Sequence, residues 1–330
     1  MIYDCFIVFN ELDLCEIRFN VLKDVVDKFV VVEGTLTHTG KPKPLYFHEN
    51  RERFAAFKDK IIHVVVDDFP APPAGYSERD ASWMRENFQR NAILRGLKDA
   101  KPSDLVMISD VDEIPRPEMV REELPWAGIS VCEQRFMNFY VNYMDHVRPR
   151  WKGTRILRMA VLQGVGREVE SHYAFIEDFN RGMTPTRVRF ARADHNLKDA
   201  GWHFSYLGGK DAIMKKIRSV GLEYGSRYSL DDSALQKLIE RGDDITRNGG
   251  RFFAVPLDSS FPNYIVAYAD KYASMIYRPT KEYLERTKWV RVACVLRGRV
   301  HRAVARLIPR AIKPAVFRIY CLMTKEPINQ

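Results

Sequence analysis

The chain of 330 residues contains no uninterrupted apolar run near the ~18 residues that a membrane-spanning helix requires. Its first residues, Met1-Ile2-Tyr3-Asp4, carry no basic stretch leading into an apolar one, so a cytoplasmic chain, neither secreted nor membrane-spanning, is expected. Cysteine is scarce: Cys5, Cys15, Cys132, Cys294 and Cys321 are odd in number, widely spaced and without metal-type pairs, which argues against a disulfide framework and fits a reducing compartment. Repeats and low-complexity segments are missing too. With 46% hydrophobic and 12% aromatic residues, disorder is excluded and one large or two smaller α/β units are allowed. Acid is absent from one region: Arg286 to Lys325 holds 11 Lys or Arg and no Asp or Glu, leaving 41 basic against 43 acidic residues elsewhere. The net charge of +9 therefore belongs to the tail, and no nucleic-acid partner is expected for the rest.

What is present is organised around Ser109-Asp110-Val111-Asp112-Glu113-Ile114-Pro115. The preceding Leu105-Val106-Met107-Ile108 reads as a buried strand, so the acids begin where the strand ends. Residues two apart on extended backbone share a side, which lets Asp110 and Asp112 face one ligand. Such a pair suits a magnesium or manganese ion shared with substrate phosphate; an acidic turn capping the next helix is the plainer alternative.

Upstream, the pattern is β-α-β. Cys5 to Phe9 reads as a strand, Leu14 to Lys28 as a helix and Phe29 to Val32 as a second strand ending at Glu33-Gly34. Parallel strands joined this way gather ligands beyond their carboxyl ends, so Glu11, Glu33 and Asp110 are expected on one rim. The hydroxyl-rich loop Thr35 to Gly40, with Thr37, follows that rim as a candidate contact for a base or ribose. Ile61 to Val66 is a further strand, and a helix is expected from a Ser82 cap to about Lys98, offering Arg85 and Arg90 to a diphosphate.

Beyond Pro117, Ile129 to Tyr143 and Thr154 to Leu162 read as longer, antiparallel strands of an acceptor side. His203, between Trp202 and Phe204 and flanked by Gly201 and Gly208, is a candidate imidazole in a fixed pose; with two carboxylates it suits manganese before magnesium. Gly208 to Val220 and Leu230 to Arg241 read as helices, and Asn248 to Phe253 with Pro262 to Ile265 as a loop and aromatic segment able to close over a ligand. From Trp289 to Met323 the mixture of apolar residues with Arg resembles basic amphipathic helices that meet anionic membrane surfaces.

Taken in order, these motifs resemble glycosyltransferase family 17, the β-1,4-N-acetylglucosaminyltransferase family. Asn10-Glu11-Leu12-Asp13-Leu14 with Arg18 match its start, and Val32-Glu33 with Thr37, Gly40, Pro42, Pro44-Leu45 and Phe47 match the next block. Arg90, Ser109 to Pro115, Ala200-Gly201-Trp202-His203 and Pro262-Asn263-Tyr264 follow, so the likeness spans about Asp4 to Pro279 and stops before the tail. The resemblance implies an α/β GT-A fold with a Rossmann-like mixed sheet flanked by helices. It also implies a UDP-sugar donor, UDP-N-acetylglucosamine, and inversion at the anomeric carbon. Asp110, Asp112 and His203 become the expected metal ligands; Glu11, Glu33, Thr37, Arg90 and Asp110 the expected donor-binding set.

The expected partition is a transferase domain at 1–285, with a nucleotide-sugar half at 1–116 and an acceptor half at 117–285, followed by a basic helical tail at 286–330. The acceptor would be an oligosaccharide, polysaccharide or lipid-linked glycan, met on the inner face of a membrane through the tail. An inverting displacement also needs a carboxylate to take the hydroxyl proton. Glu113, Glu168, Glu170, Glu177, Asp194, Asp199 and Asp232 are all available, with Glu170 preferred because it falls in the acceptor half. Two other readings stay open: an aspartyl phosphatase, using an Asp-x-Asp after a strand, and a non-catalytic glycan-binding or membrane-scaffold protein.

Overall fold

The structure, a computed structural model, describes residues 1–120, 128–164, 184–220, 232–244 and 250–307. Strand β1 (Ile2–Val8) shows why the N-terminal sequence reads as continuous apolar runs. Its alternate residues Ile2, Phe6 and Val8 enter one core cluster and Tyr3, Cys5 and Ile7 another, so both faces are covered. Helix Leu12–Leu22 packs Leu14, Ile17, Phe19 and Leu22 on the first face. Then β2 (Lys28–Gly34) and β3 (Ile61–Val66) continue the sheet in parallel, Val8 pairing with Glu33 and Glu33 with Val65.

Strand β4 (Leu105–Asp110) lies on the other side of β1, also parallel, with Ile7 opposite Asp110. The carboxyl ends of β1 and β4 thus open side by side. The chain turns back through β5 (Glu113–Pro115), and β6 (Ser130–Asn138), β7 (Tyr143–Asp145) and β8 (Arg150–Arg158) extend the sheet with antiparallel pairings. Strands β9 (His195–Leu197) and β10 (Gly201–Ser205) run parallel to β6, β10 also pairing antiparallel with β5, and β11 (Phe252–Ala254) closes on β7. The strand order β11-β7-β6-β8-β4-β1-β2-β3 is one mixed sheet flanked by helices, the α/β Rossmann-like architecture anticipated from the sequence.

Element boundaries moved for local reasons. The first helix occupies Leu12–Leu22 rather than reaching Lys28, because Lys28 already belongs to β2. The helix expected behind a Ser82 cap is Glu78–Asn91, capped by Ser77: the Asp80 N–H donates to the Ser77 hydroxyl and the Ser77 N–H to the Asp80 carboxylate. It gives way to a 3₁₀ turn at Ala92–Gly96. The long strand expected to Tyr143 is broken after Asn138 by Phe139, whose φ of 69° no strand can hold. The strand expected over Thr154 to Leu162 is β8, followed by a short helix Met159–Leu162.

Helices Gly209–Val220 and Asp232–Arg241 lie where helical patterns were read. Helix Lys281–Leu307 runs through the anticipated boundary at 285, burying Tyr283 and Thr287 against the body while Trp289 stands 74% exposed. Among the described residues no helix is long and apolar enough to cross a membrane. Residues 308–330 of the anticipated tail lie outside the described residues.

Candidate active site

A cavity of about 560 Å³ opens at the paired ends of β1 and β4. Ile7, Val8, Phe9 and Glu11 line it from the end of β1 and the turn that follows, Asp110, Val111 and Asp112 from the acidic turn, and Thr37 and His38 from the loop after β2. Phe136, Trp151, His203, Tyr206 and Lys216 form an opposing wall from the second half of the chain. A few polar groups on a mostly apolar concave surface is the usual build of a small-molecule site.

The acidic turn is gripped from within by Arg18. Its guanidinium is fully enclosed and forms a two-armed ion pair with Asp4, Nε to Oδ2 at 2.7 Å. The same group donates to the carbonyls of Asp110 at 3.0 Å and Glu113 at 2.8 Å and to Ser109 Oγ at 2.7 Å. Burial works against the Arg18 charge, yet Asp4 outweighs it and holds its pKa above the ordinary value. The helix thus supplies a cation to the backbone of the turn, and the acids keep their pose without lending their own carboxylates.

Those carboxylates then diverge. Asp110 accepts from Arg90 at 2.6 Å and from Arg189, on helix Pro185–Phe190, at 3.3 Å. Asp112 accepts from Lys216 at 3.1 Å, and its other oxygen lies 3.5 Å from His203 Nε2. Burial would raise both pKa values; Arg90 and Arg189 hold the Asp110 carboxyl below the usual range, and Lys216 with His203 does the same for Asp112. Lys216 also reaches Glu11 at 3.2 Å, and these two acids keep its pKa above the ordinary lysine value against the cost of burial.

His203 is fixed as the sequence suggested. Its ring stacks on Phe136 at 5.1 Å, tilted by 10°, and lies 4.6 Å from the Trp151 ring. Gly201 makes this possible: a Cβ there would stand 2.2 Å from the Ile114 carbonyl, so only glycine lets β10 approach β5 and carry His203 to the turn. The Nδ1 of His203 is buried and has no hydrogen-bond partner among the described residues. Trp151, 37% exposed, offers an apolar face to the cavity while its Nε1–H donates to Glu113 at 2.6 Å.

Of the residues singled out from sequence, Glu11, Thr37, Asp110, Asp112 and His203 come together on the cavity wall. The others lie elsewhere. Glu33 is fully buried behind the rim rather than on it, its carboxylate accepting from the Phe47 and His48 amides at 2.8 and 3.2 Å. Arg90 is enclosed behind Asp110, tied to it and to Glu86, and does not line the cavity. Arg85 spends its guanidinium on the His38 carbonyl at 3.0 Å. Glu113 is wholly enclosed and bound by Arg189 and Trp151, so it positions those side chains instead of facing a substrate. Glu168, Glu170 and Glu177 lie outside the described residues. Lys216, Arg189 and Trp151 escaped the sequence reading. A Lys215-Lys216 pair on the helix directly after the histidine strand was the available signal for the first.

Whether these groups fit a metal is a matter of donors. Asp110 and Asp112 point to different cations, and among the described residues no three His, Cys, Asp or Glu side chains are grouped to hold an ion. A divalent ion bound to Asp112 would have to share its carboxylate with the Lys216 ammonium. As arranged, the donor set does not fit one.

Comparison with known proteins places the first part of the chain. The sequence model described as Glycosyltransferase family 17 matches residues 1–133. The human protein called beta-1,4-mannosyl-glycoprotein 4-beta-N-acetylglucosaminyltransferase is 37% identical over 112 residues, which are 32% of this chain and 20% of that protein. Its counterparts in Rattus norvegicus and Mus musculus are 37% and 36% identical over the same length. The chain thus matches about a fifth of the length of these curated relatives. A solved structure, mannosyltransferase PcManGT from Pyrobaculum calidifontis in complex with GDP-Man and Mn2+, aligns with 91% of this chain and 86% of its own at 12% identity. Its TM-score of 0.35 is too low to bear on the site.

Proposed function

We propose that the chain transfers a sugar, N-acetylglucosamine, from a UDP-sugar to a glycan hydroxyl with inversion, a reading supported by the match of residues 1–133 to the glycosyltransferase family 17 model. The observation that carries this reading is the acidic turn itself. The family match ends just beyond it, and the turn forms the floor of the cavity at the β1 and β4 carboxyl ends, where α/β sheets bind nucleotides.

In this reading the nucleotide enters past Thr37 and His38, with its diphosphate over Asp110 to Asp112. The sugar lies against Trp151, whose half-exposed indole suits the apolar face of a pyranose. An acceptor hydroxyl attacks the anomeric carbon, the bond to the diphosphate breaks, and charge builds on the leaving oxygen. Cations fixed beforehand stabilise that charge more in the transition state than in the ground state. The hydroxyl proton goes to a carboxylate of the acceptor half, for which Glu170 remains the candidate. A manganese or magnesium ion, anticipated from the sequence, would have to compete with the cations already paired to Asp110 and Asp112.

The acceptor is an oligosaccharide, polysaccharide or lipid-linked glycan in a cytoplasmic setting. The exposed Trp289, Val292 and Leu296 beside basic residues of the last helix support contact with an anionic membrane surface, and 286–330 would act as an appendage to a transferase unit at 1–285. The test is release of UDP or GDP from a panel of nucleotide sugars. Turnover of one UDP-sugar, abolished by Asp112→Ala, is the expected outcome. Turnover of an aryl phosphate instead would point to the phosphatase reading, and binding of glycans without any turnover to the non-catalytic one.

A further inference from the structure

The acids of the turn are already served by a cation that the chain supplies. Lys216 lies two turns along helix Gly209–Val220, which follows β10 through Tyr206, Gly208 and Gly209, all at positive φ (52°, 101° and 78°). That tight turn folds the helix back over the cavity. It delivers the ammonium between Asp112 Oδ2 at 3.1 Å and Glu11 Oε1 at 3.2 Å. Asp110 meanwhile is paired with Arg90 and Arg189.

We propose that Lys216 takes the place of a divalent metal in this site, bridging Glu11 and Asp112, offsetting one of their two charges and presenting its ammonium to the diphosphate of the nucleotide sugar. The inference rests on the transferase reading and deepens it. An incoming diphosphate is repelled by two bare carboxylates and needs a cation between. A metal would have to sit ~2.0–2.2 Å from the carboxylate oxygens, against the like charge of an ammonium already beside both. The lysine meets the electrostatic requirement without an exchangeable ion, and, as a flexible point charge, it can shift from carboxylate to phosphate as the donor arrives. His203, clamped between Phe136 and Trp151, then orients Asp112 rather than ligating an ion.

Two readouts on the full chain, stripped with EDTA, test this. The first is the electron paramagnetic resonance signal of free Mn2+ titrated with protein alone. Wild type leaves the signal unchanged, while Lys216→Met, which keeps the alkyl stem and drops the charge, binds one equivalent of Mn2+ that Asp112→Asn in the same background abolishes. The second is UDP binding followed by tryptophan fluorescence. Wild type binds in EDTA with an affinity within about twofold of that in Mn2+, Lys216→Met loses about tenfold or more in EDTA, and Lys216→Arg retains EDTA-resistant binding.

Wild-type protein that binds Mn2+ through Asp112, or UDP binding that appears only when Mn2+ is added, overturns the inference while leaving the transferase reading intact. UDP binding under no condition overturns both, and is distinguished by that breadth.

Discussion

Two cations hold the acidic turn, one buried and one partly exposed, and they do opposite work. Arg18 comes from the first helix, is fully enclosed with Asp4, and grips the backbone carbonyls of Asp110 and Glu113. Lys216 comes from a helix about 200 residues later, is 21% exposed, and pairs with the carboxylates of Asp112 and Glu11. The first fixes where the turn is; the second sets what charge the turn shows to the cavity. A site can thus be rigid in its backbone and adjustable in its electrostatics, because the two tasks fall to different residues.

Removing Arg18 should have the largest effect. Arg18→Met leaves Asp4 as an uncompensated buried charge and frees the turn, so a loss of roughly 3–5 kcal/mol of folding stability is expected in urea titrations. Asp4→Asn should fall in the same range. Lys216→Met should cost less, since Glu11 is only partly buried and Asp112 keeps His203 beside it at 3.5 Å; an equal loss from both would erase the distinction.

Trp151 sharpens the comparison from the substrate side. Because it is partly exposed, Trp151→Ala should leave folding within about 1 kcal/mol while weakening nucleotide-sugar binding by roughly tenfold. UDP alone, lacking the sugar, should bind almost as before. Calorimetry with both ligands separates the two, and equal weakening of UDP would remove the indole from the sugar subsite.

The smallest effect concerns pH. The folded-state pKa values of Asp110 and Asp112 are lowered, so the stability they contribute is present above the unfolded value of ~3.9 and is lost as pH falls through the lower folded values. The Lys216 pKa is raised, so its contribution is complete below the unfolded value of ~10.4 and is lost only as pH rises through the folded one. The stability difference between wild type and Asp112→Asn should therefore be flat from about pH 5 to 9 and shrink below about pH 4. A slope across neutrality would mean that the Asp112–Lys216 pair does not govern the site.

The same contrast explains what was legible in the sequence. β1, β2, β3 and β4 were readable because each is a short apolar run ending in a turn, and parallel strands covered on both faces have little else to show. Asp110, Asp112 and His203 were legible as chemistry in fixed local patterns. Lys216 was not, since its partner Asp112 is 104 residues away and nothing local to a lysine helix announces it. Glu33 looked like a rim acid and Glu113 like a candidate base because both follow apolar strands in the sequence; only packing by the Phe47 and His48 amides, and by Arg189 and Trp151, turns them inward. Ser82 looked like a cap because an apolar pattern follows it, whereas the capping box at Ser77 uses Asp80 in place of the usual Glu or Gln.

The most direct measurement is a crystal structure of the full chain grown with UDP in the presence of EDTA. The expected result is UDP in the cavity between Thr37 and Trp151, with a phosphate oxygen within hydrogen-bonding distance of the Lys216 ammonium. UDP bound elsewhere, or bound in the cavity with Lys216 swung away from its diphosphate, would contradict it.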